Sequence, residues 1–395
     1  MGQKRATVAI ERCASYDLEA VLSAVKNVVD RLGGVGQFKE KYGRRVLLKP
    51  NLLTGAAPEQ AVTTHPVVVE AVARLFVENG FDVFVGDSPA VDSTSAAARK
   101  CGVTAAAERA GARMVDFSKT VEVQNPQGKL VQKFTVAKIT QEVDFIVTLP
   151  KLKTHGQMYY TGAIKNMFGA VSGLQKSQFH LRFPERERFA TMIVDLALML
   201  RPRLAIMDAV VAMEGVGPMS GTPKPLGFFA GSLDLLALDC LCAGLIGYSV
   251  SDIPILRDAL TRGEWIASTS DIDVTGCPVA DVRPEQFSRV SITKDITFIP
   301  RWVPPLLARI IADLMVKKPR FNGNKCVLCA RCLQICPANA LRIEARSGGT
   351  KRHVAIDDER CIRCYCCHEI CAPEAIDLRR SVRRLRWRDE GTEGT

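Results

Sequence analysis

Cys326-Val-Leu-Cys329-Ala-Arg-Cys332-Leu-Gln-Ile-Cys336-Pro337 is answered by Cys361-Ile-Arg-Cys364-Tyr-Cys-Cys367-His-Glu-Ile-Cys371-Ala-Pro373, and the rest of this 395-residue chain is read outward from that pair. Both runs have the spacing C-x2-C-x2-C-x3-C. Two residues between cysteines make a tight loop with inward-pointing amides, so three thiolates of each run converge. The likeness continues past the cysteines. Cys336-Pro-Ala-Asn-Ala-Leu matches Cys371-Ala-Pro-Glu-Ala-Ile, and each half is expected to close with a short helix and a strand. Residues 342–346 and 353–356 flank a Ser-Gly-Gly-Thr turn and read as a hairpin. The copies differ at the proline, which follows Cys371 by two places instead of one.

This spacing is that of bacterial ferredoxins with two cubane clusters, where the fourth cysteine of each run ligates the other cluster. Cys326, Cys329, Cys332 and Cys371 are therefore expected to hold one [4Fe–4S] cluster, and Cys361, Cys364, Cys367 and Cys336 the other. Zinc sites take four ligands in paired spacings and do not require two like runs of four. Disulfides do not persist in a reducing cytosol. Among the other cysteines, Cys13, Cys101, Cys240 and Cys242 read as small core hydrophobes. Cys277 follows an expected strand at 271–275 and is a candidate to line a site; Cys366 lies between two ligands and is a candidate to replace one.

The apolar fraction of 47% and charged fraction of 24% describe a globular protein with a sizeable core. The first apolar run, 6–10, is too short for a signal peptide. No uncharged apolar run reaches the roughly 18 residues that cross a bilayer, so a cytoplasmic chain without a transmembrane segment is expected. Residues 301–395 hold 19 Lys and Arg against 11 Asp and Glu, +8 of the total of +11. Nucleic-acid signatures are absent and the arginines gather in a tail, so nucleic acid is not an expected partner. A basic electron-carrying module steers acidic redox partners. The expected partner is thus a low-potential carrier, an acidic ferredoxin or flavodoxin.

Upstream, strand and helix signals alternate, the pattern of an α/β domain with a largely parallel sheet. Strands are expected at 5–11, 45–48, 81–85, 113–117, 145–149 and 204–207, with helices at 17–32 and from His65-Pro66. Residues 124–139, broken by Asn-Pro-Gln-Gly, read as an inserted hairpin. The divisions are an α/β domain at 1–296, an amphipathic connector at 297–320, a small α+β ferredoxin-like domain at 321–379 and a basic tail at 380–395. Four apolar strands release polar clusters at their C-terminal ends, where open α/β sheets bind ligands. Lys49, Lys151, Lys153, His155 and Glu214 are the candidate catalytic residues there; Asn51, Asp87, Lys165 and Asn166 are candidates to bind a substrate. The pattern Gly215-x-Gly217-x3-Gly221 is not a dinucleotide fingerprint, because Pro218, Pro223 and Pro225 prevent the helix that would hold a pyrophosphate.

The chain resembles the family catalogued as domain of unknown function 362. The motifs that carry the likeness are Leu48-Lys-Pro-Asn-Leu52, Pro150-Lys-Leu-Lys-Thr-His155, Gly162-Ala-Ile-Lys-Asn-Met-Phe-Gly169, Asp208 through Met213-Glu-Gly-Val-Gly-Pro218, and Gly231-Ser-Leu-Asp234-Leu-Leu-Ala-Leu-Asp239. Together they cover residues 7–250. The resemblance implies a domain often found beside ferredoxin-like modules and supplies no activity.

Fusion of an electron-carrying module to a domain with a polar sheet edge points to a ferredoxin-coupled oxidoreductase. Lysines there would neutralise an anionic small molecule, and His155, or a lysine with lowered pKa, would deliver protons. The alternatives are a non-catalytic electron-transfer or maturation protein whose α/β domain docks a partner enzyme, and a regulator with structural or redox-sensing clusters. An enclosed pocket beside a cluster favours the first reading; a flat or distant edge favours the others.

Overall fold

A computed structural model describes residues 5–173, 175–291, 304, 317–345 and 352–379. Most of the connector expected at 297–320 and the basic tail at 380–395 lie outside the described residues. The strands of the first domain are β1 (Ala6–Arg12), β2 (Arg45–Pro50), β3 (Asp82–Val85), β4 (Arg113–Met114), β5 (Thr120–Gln124) and β6 (Lys133–Ala137). They continue with β7 (Phe145–Leu149), β8 (Lys151–His155), β9 (Tyr159–Thr161), β10 (Leu204–Val216), β11 (Ser220–Ser232) and β12 (Ile272–Gly276). The main sheet runs in the order β12-β1-β11-β10-β7-β2-β3-β4, with β8 and β9 set off this path. Every neighbour along it is parallel except the pairs made by β11. The domain is α/β with a largely parallel sheet.

The apolar runs of β2 and β7 are buried on both faces because helices cover both sides of the sheet. The helices Leu18–Arg31 and Pro66–Glu78 close one side, with Val25, Val28, Val69, Val72 and Phe76 in its core. The helices Arg186–Leu200, Leu235–Leu245 and Pro254–Leu260 close the other, where Phe189, Ile193, Leu236 and Leu256 pack. Asp17 caps the first helix through the Ala20 amide, and His65 caps the second through the Val67 amide. The inserted hairpin is β5 with β6, its first strand lying upstream of the expected start.

Two features depart from the sequence reading. β10 does not stop near Met207 but runs on to Val216 and turns back as β11. Pro223 and Pro225 are tolerated because this half of β11 pairs only with β10, while β1 joins it only from Phe228 onward. Lys151–His155 is likewise a strand and not a loop. β8 continues β7 past Pro150 and pairs with the extension of β10. The polar edge is therefore built on strands.

The C-terminal module contains β13 (Lys318–Phe321), β14 (Leu341–Ala345), β15 (Arg352–Ile356) and β16 (Ile376–Arg379), with short helices at Arg331–Ile335 and Cys366–Glu369. β13 pairs with β16, and β14 with β15 as the expected hairpin. Among the described residues no helix is long and apolar enough to cross a membrane.

Candidate functional site

The internal repeat of the module is visible in its backbone. Leu328 and Arg363, Ala330 and Tyr365, and Asn339 and Glu374 occupy equivalent places in the two runs, and all six have positive φ. Non-glycine residues rarely adopt that conformation, and it persists where the surroundings demand it. Here it folds the chain around two small cavities. Cys326, Cys329, Cys332 and Cys371 line one, and Cys336, Cys361, Cys364 and Cys367 the other. Backbone amides already point at the sulfurs of the fourth cysteines, Ala340 to Cys336 at 3.3 Å and Ala375 to Cys371 at 3.2 Å. Among the described residues, no three such side chains converge on a point that would hold a single ion. The donor set fits cubane clusters, whose thiolate ligands surround a body of several atoms.

Cys366 is no part of either set of four. It is 5% exposed, and its thiol hydrogen-bonds to Cys364, which lowers the Cys364 pKa. It also lines a third cavity of about 100 Å³, where the module meets the sheet edge. Arg331 fastens the two domains beside it through Asp92 at 3.1 Å.

The α/β side of this third cavity carries Asn51 from the end of β2, Lys153 and His155 from β8, Thr161 from β9, and Lys165 just downstream. Lys176 and His180 come from the helix Gln175–Arg182, and Pro218 from the β10–β11 turn. Lys153 is 1% exposed; its ammonium donates to Asn51 Oδ1 at 2.8 Å and to the Val62 carbonyl at 2.7 Å. No carboxylate pairs with it among the described residues. Burial, reinforced by the charges of Lys165 and Lys151, pushes its pKa well below the usual lysine value. Burial also lowers Lys176 to about 7 and Lys165 to about 8, the latter opposed by Glu369. His155 Nδ1 accepts from the amides of Gln157 and Met158, so its proton sits on Nε2. The ring is neutral in that tautomer, so the 3.4 Å approach of Glu369 Oε1 to Nδ1 is not an ion pair. Burial pushes the Glu369 carboxyl up to about 8.

Lys49 and Lys151 do not line the cavity, contrary to the sequence expectation. Lys49 is fully buried, 2.8 Å from Asp87, and also donates to the Asn166 carbonyl. Asp87 accepts from the Leu52 amide at 2.7 Å. A Cβ at Gly169 would lie 1.9 Å from Asp87 Oδ1, so this ion pair explains that glycine. Lys151 donates to Asp208 at 2.9 Å and to the Tyr16 hydroxyl at 2.7 Å. Asp208 also accepts from Tyr16 and from the His65 amide. Asn166 bridges Asn51, the Lys49 carbonyl and Thr148. Glu214 takes the Ser288 amide at 2.7 Å and lies off the cavity. The turn beyond it reaches the cavity through Pro218, since a Cβ at Gly217 would stand 2.1 Å from the Thr154 carbonyl. Cys277 is off the cavity as well.

Sequence reasoning missed Lys176, Thr161, His180, Glu369, Tyr16 and the cavity role of Cys366. His180 carried no partner in sequence, and Glu369 belongs to the other domain. A larger open groove of about 590 Å³ lies at the opposite end of the sheet. Three of its four arginines are already paired, Arg5 with Asp273, Arg31 with Glu11 and Arg201 with Glu264, and Arg203 lies over the Tyr42 ring.

A family model described as a domain of unknown function, DUF362, matches residues 46–244. The chain belongs to the DUF362 family. A second family model, a 4Fe-4S dicluster domain, matches residues 325–375 and makes this DUF362 protein an iron–sulfur protein. A thylakoid-associated protein of Synechocystis sp. is 36% identical over 251 residues, covering 63% of the DUF362 chain and 77% of its own. Two solved structures align more loosely. A Thermotoga maritima protein has a TM-score of 0.33 at 14% identity, over 54% of this chain and 55% of its own. The lactate racemase apoprotein of Thermoanaerobacterium thermosaccharolyticum has a TM-score of 0.37 at 13% identity, over 62% and 57%. The DUF362 chain thus spans little more than half of either, and so loose a likeness carries neither fold nor activity.

Proposed function

We propose that the chain is a ferredoxin-coupled oxidoreductase acting on an anionic substrate or cofactor held between the sheet edge and the iron–sulfur module. The observation that carries this reading is Cys366, which lines both the third cavity and the cavity of Cys336, Cys361, Cys364 and Cys367. When bound by the two sets of cysteines, a pair of [4Fe–4S] clusters supplies one-electron transfer. The chain's own residues do the rest. Lys153, Lys165 and Lys176 attract the anion, Asn51 orients the Lys153 ammonium, and His155 holds a proton on Nε2. The module forms one wall of the cavity with Ile335, Cys366, Glu369 and Ile370. That pocket, lined from both domains, supports a small molecule at this edge over the docking of a partner enzyme. The basic excess of residues 301–395 supports an acidic ferredoxin or flavodoxin as the donor.

Protein reconstituted without oxygen should carry about eight iron and eight sulfide per chain, as two cubane clusters require. Cys336→Ser should lose about half of that iron, whereas Cys366→Ser should keep all of it. In the reduced protein, an anion in the cavity should shift the electron paramagnetic resonance signal of the nearer cluster alone. Signals indifferent to the anion would remove the oxidoreductase reading.

A further inference from the structure

Four groups around the third cavity lack a hydrogen-bond partner among the described residues. Thr161 Oγ1, His180 Nδ1 and Glu369 Oε1 are buried and unsatisfied, and Lys165 makes no hydrogen bond to the described protein. Thr161 is 2% exposed and His180 8%. They come from a strand, a helix and the opposite domain, yet all line one cavity. Buried polar atoms without partners are rare in native proteins, and several in one place mark a missing ligand. Water would satisfy the hydrogen bonds but not the charge. Three lysines face the single carboxyl group of Glu369, and Asp87, the nearest other carboxylate, is held by Lys49. A lining with three lysines and one carboxyl group favours an anionic occupant.

Its size follows from the volume. A cavity of about 150 Å³ takes a benzene ring; this one measures about 100 Å³. Taking the cavity as the substrate site proposed above, we infer that it binds a compact anion of about four heavy atoms, an inorganic oxyanion or short carboxylate, and excludes nucleotides and flavins. The anionic oxygens lie toward Lys153, Lys165 and Lys176, and the remaining polar atom meets Thr161, His180 or Glu369.

The test is calorimetric titration of the anaerobic holoprotein with acetate, bicarbonate and inorganic phosphate, using AMP and FMN as size probes. At least one compact anion should bind at a single site. Lys165→Met should weaken it about tenfold or more, because a charged hydrogen bond is lost. Thr161→Val removes one hydroxyl at nearly constant volume and should weaken it less, which keeps the test alive if Lys165→Met does not fold. The inference is overturned if none of the compact anions binds, if both variants bind them unchanged, or if AMP or FMN occupies the cavity without competition from them. Failure of the oxidoreductase reading looks different. An anion that binds as described, yet moves no resonance signal and accepts no electron, removes that reading and leaves this inference standing. Reduction of FMN seated in the cavity does the reverse.

Discussion

Lys151 and Lys153 stand two residues apart on the same strand, each only 1% exposed, and they belong to different regions of the molecule. Lys151, like Lys49, lies in the floor of the sheet edge, where Asp208 and Asp87 face the ammonium groups at 2.9 and 2.8 Å. Lys153 belongs to the cavity wall with Lys165 and Lys176, where backbone carbonyls and an amide oxygen are the partners and no carboxylate pairs with them among the described residues. Burial lowers both pKa values. Asp208 pushes Lys151 back up, whereas Lys165 and Lys151 push Lys153 further down. A buried cation with its own carboxylate is architecture. A buried cation without one is an open charge, and its natural complement is a ligand.

The largest effect should come from breaking the floor. Asp208→Asn leaves Lys151 charged and unpaired, and disturbs Tyr16 and the His65 amide as well. Denaturant unfolding should show a loss of about 3–5 kcal/mol. A loss near zero would mean that the floor is no more structural than the wall.

The next effect concerns the wall alone. Lys176 is protonated below about 7 and neutral above it, because burial penalises its charge. Affinity for acetate, which stays ionised throughout, should therefore fall as pH rises from 6 to 8. Lys165, lowered to about 8, should extend the decline upward. Lys176→Arg carries a charge that does not titrate in this range and should flatten the first part of the decline. An affinity that rises with pH would reverse the role given to these lysines.

The smallest effect is on the stability of the wall. Lys165→Met removes a charge with no protein partner, so folding stability at neutral pH should stay within about 1 kcal/mol of the parent or rise. The sign follows from linkage. Between about 8 and the ordinary lysine value of 10.5 the unfolded chain binds more protons, so this lysine costs most below about 8 and nothing above 10.5. Any gain from Lys165→Met should vanish at high pH. A clear loss at neutral pH would place Lys165 with the floor.

Much of this was legible in the residues themselves. The spacing of the cysteines marked the iron–sulfur module, because ligation to a cluster is short-range chemistry written into adjacent loops. Apolar runs ending in polar clusters marked a parallel sheet and its C-terminal edge, because strand burial repeats along the chain. Asn51, Lys153, His155 and Lys165 were picked out by that edge and do line the cavity. Sequence by itself had no means of separating Lys151 from Lys153, since both follow the same strand with the same alternation. That choice was made by tertiary structure. Asp208 comes to Lys151 from a strand 57 residues away, while no carboxylate forms an ion pair with Lys153 among the described residues. Glu369 and Cys366 close the cavity only because the module docks on the sheet edge. Contacts between distant segments depend on packing geometry, which local residue patterns do not encode.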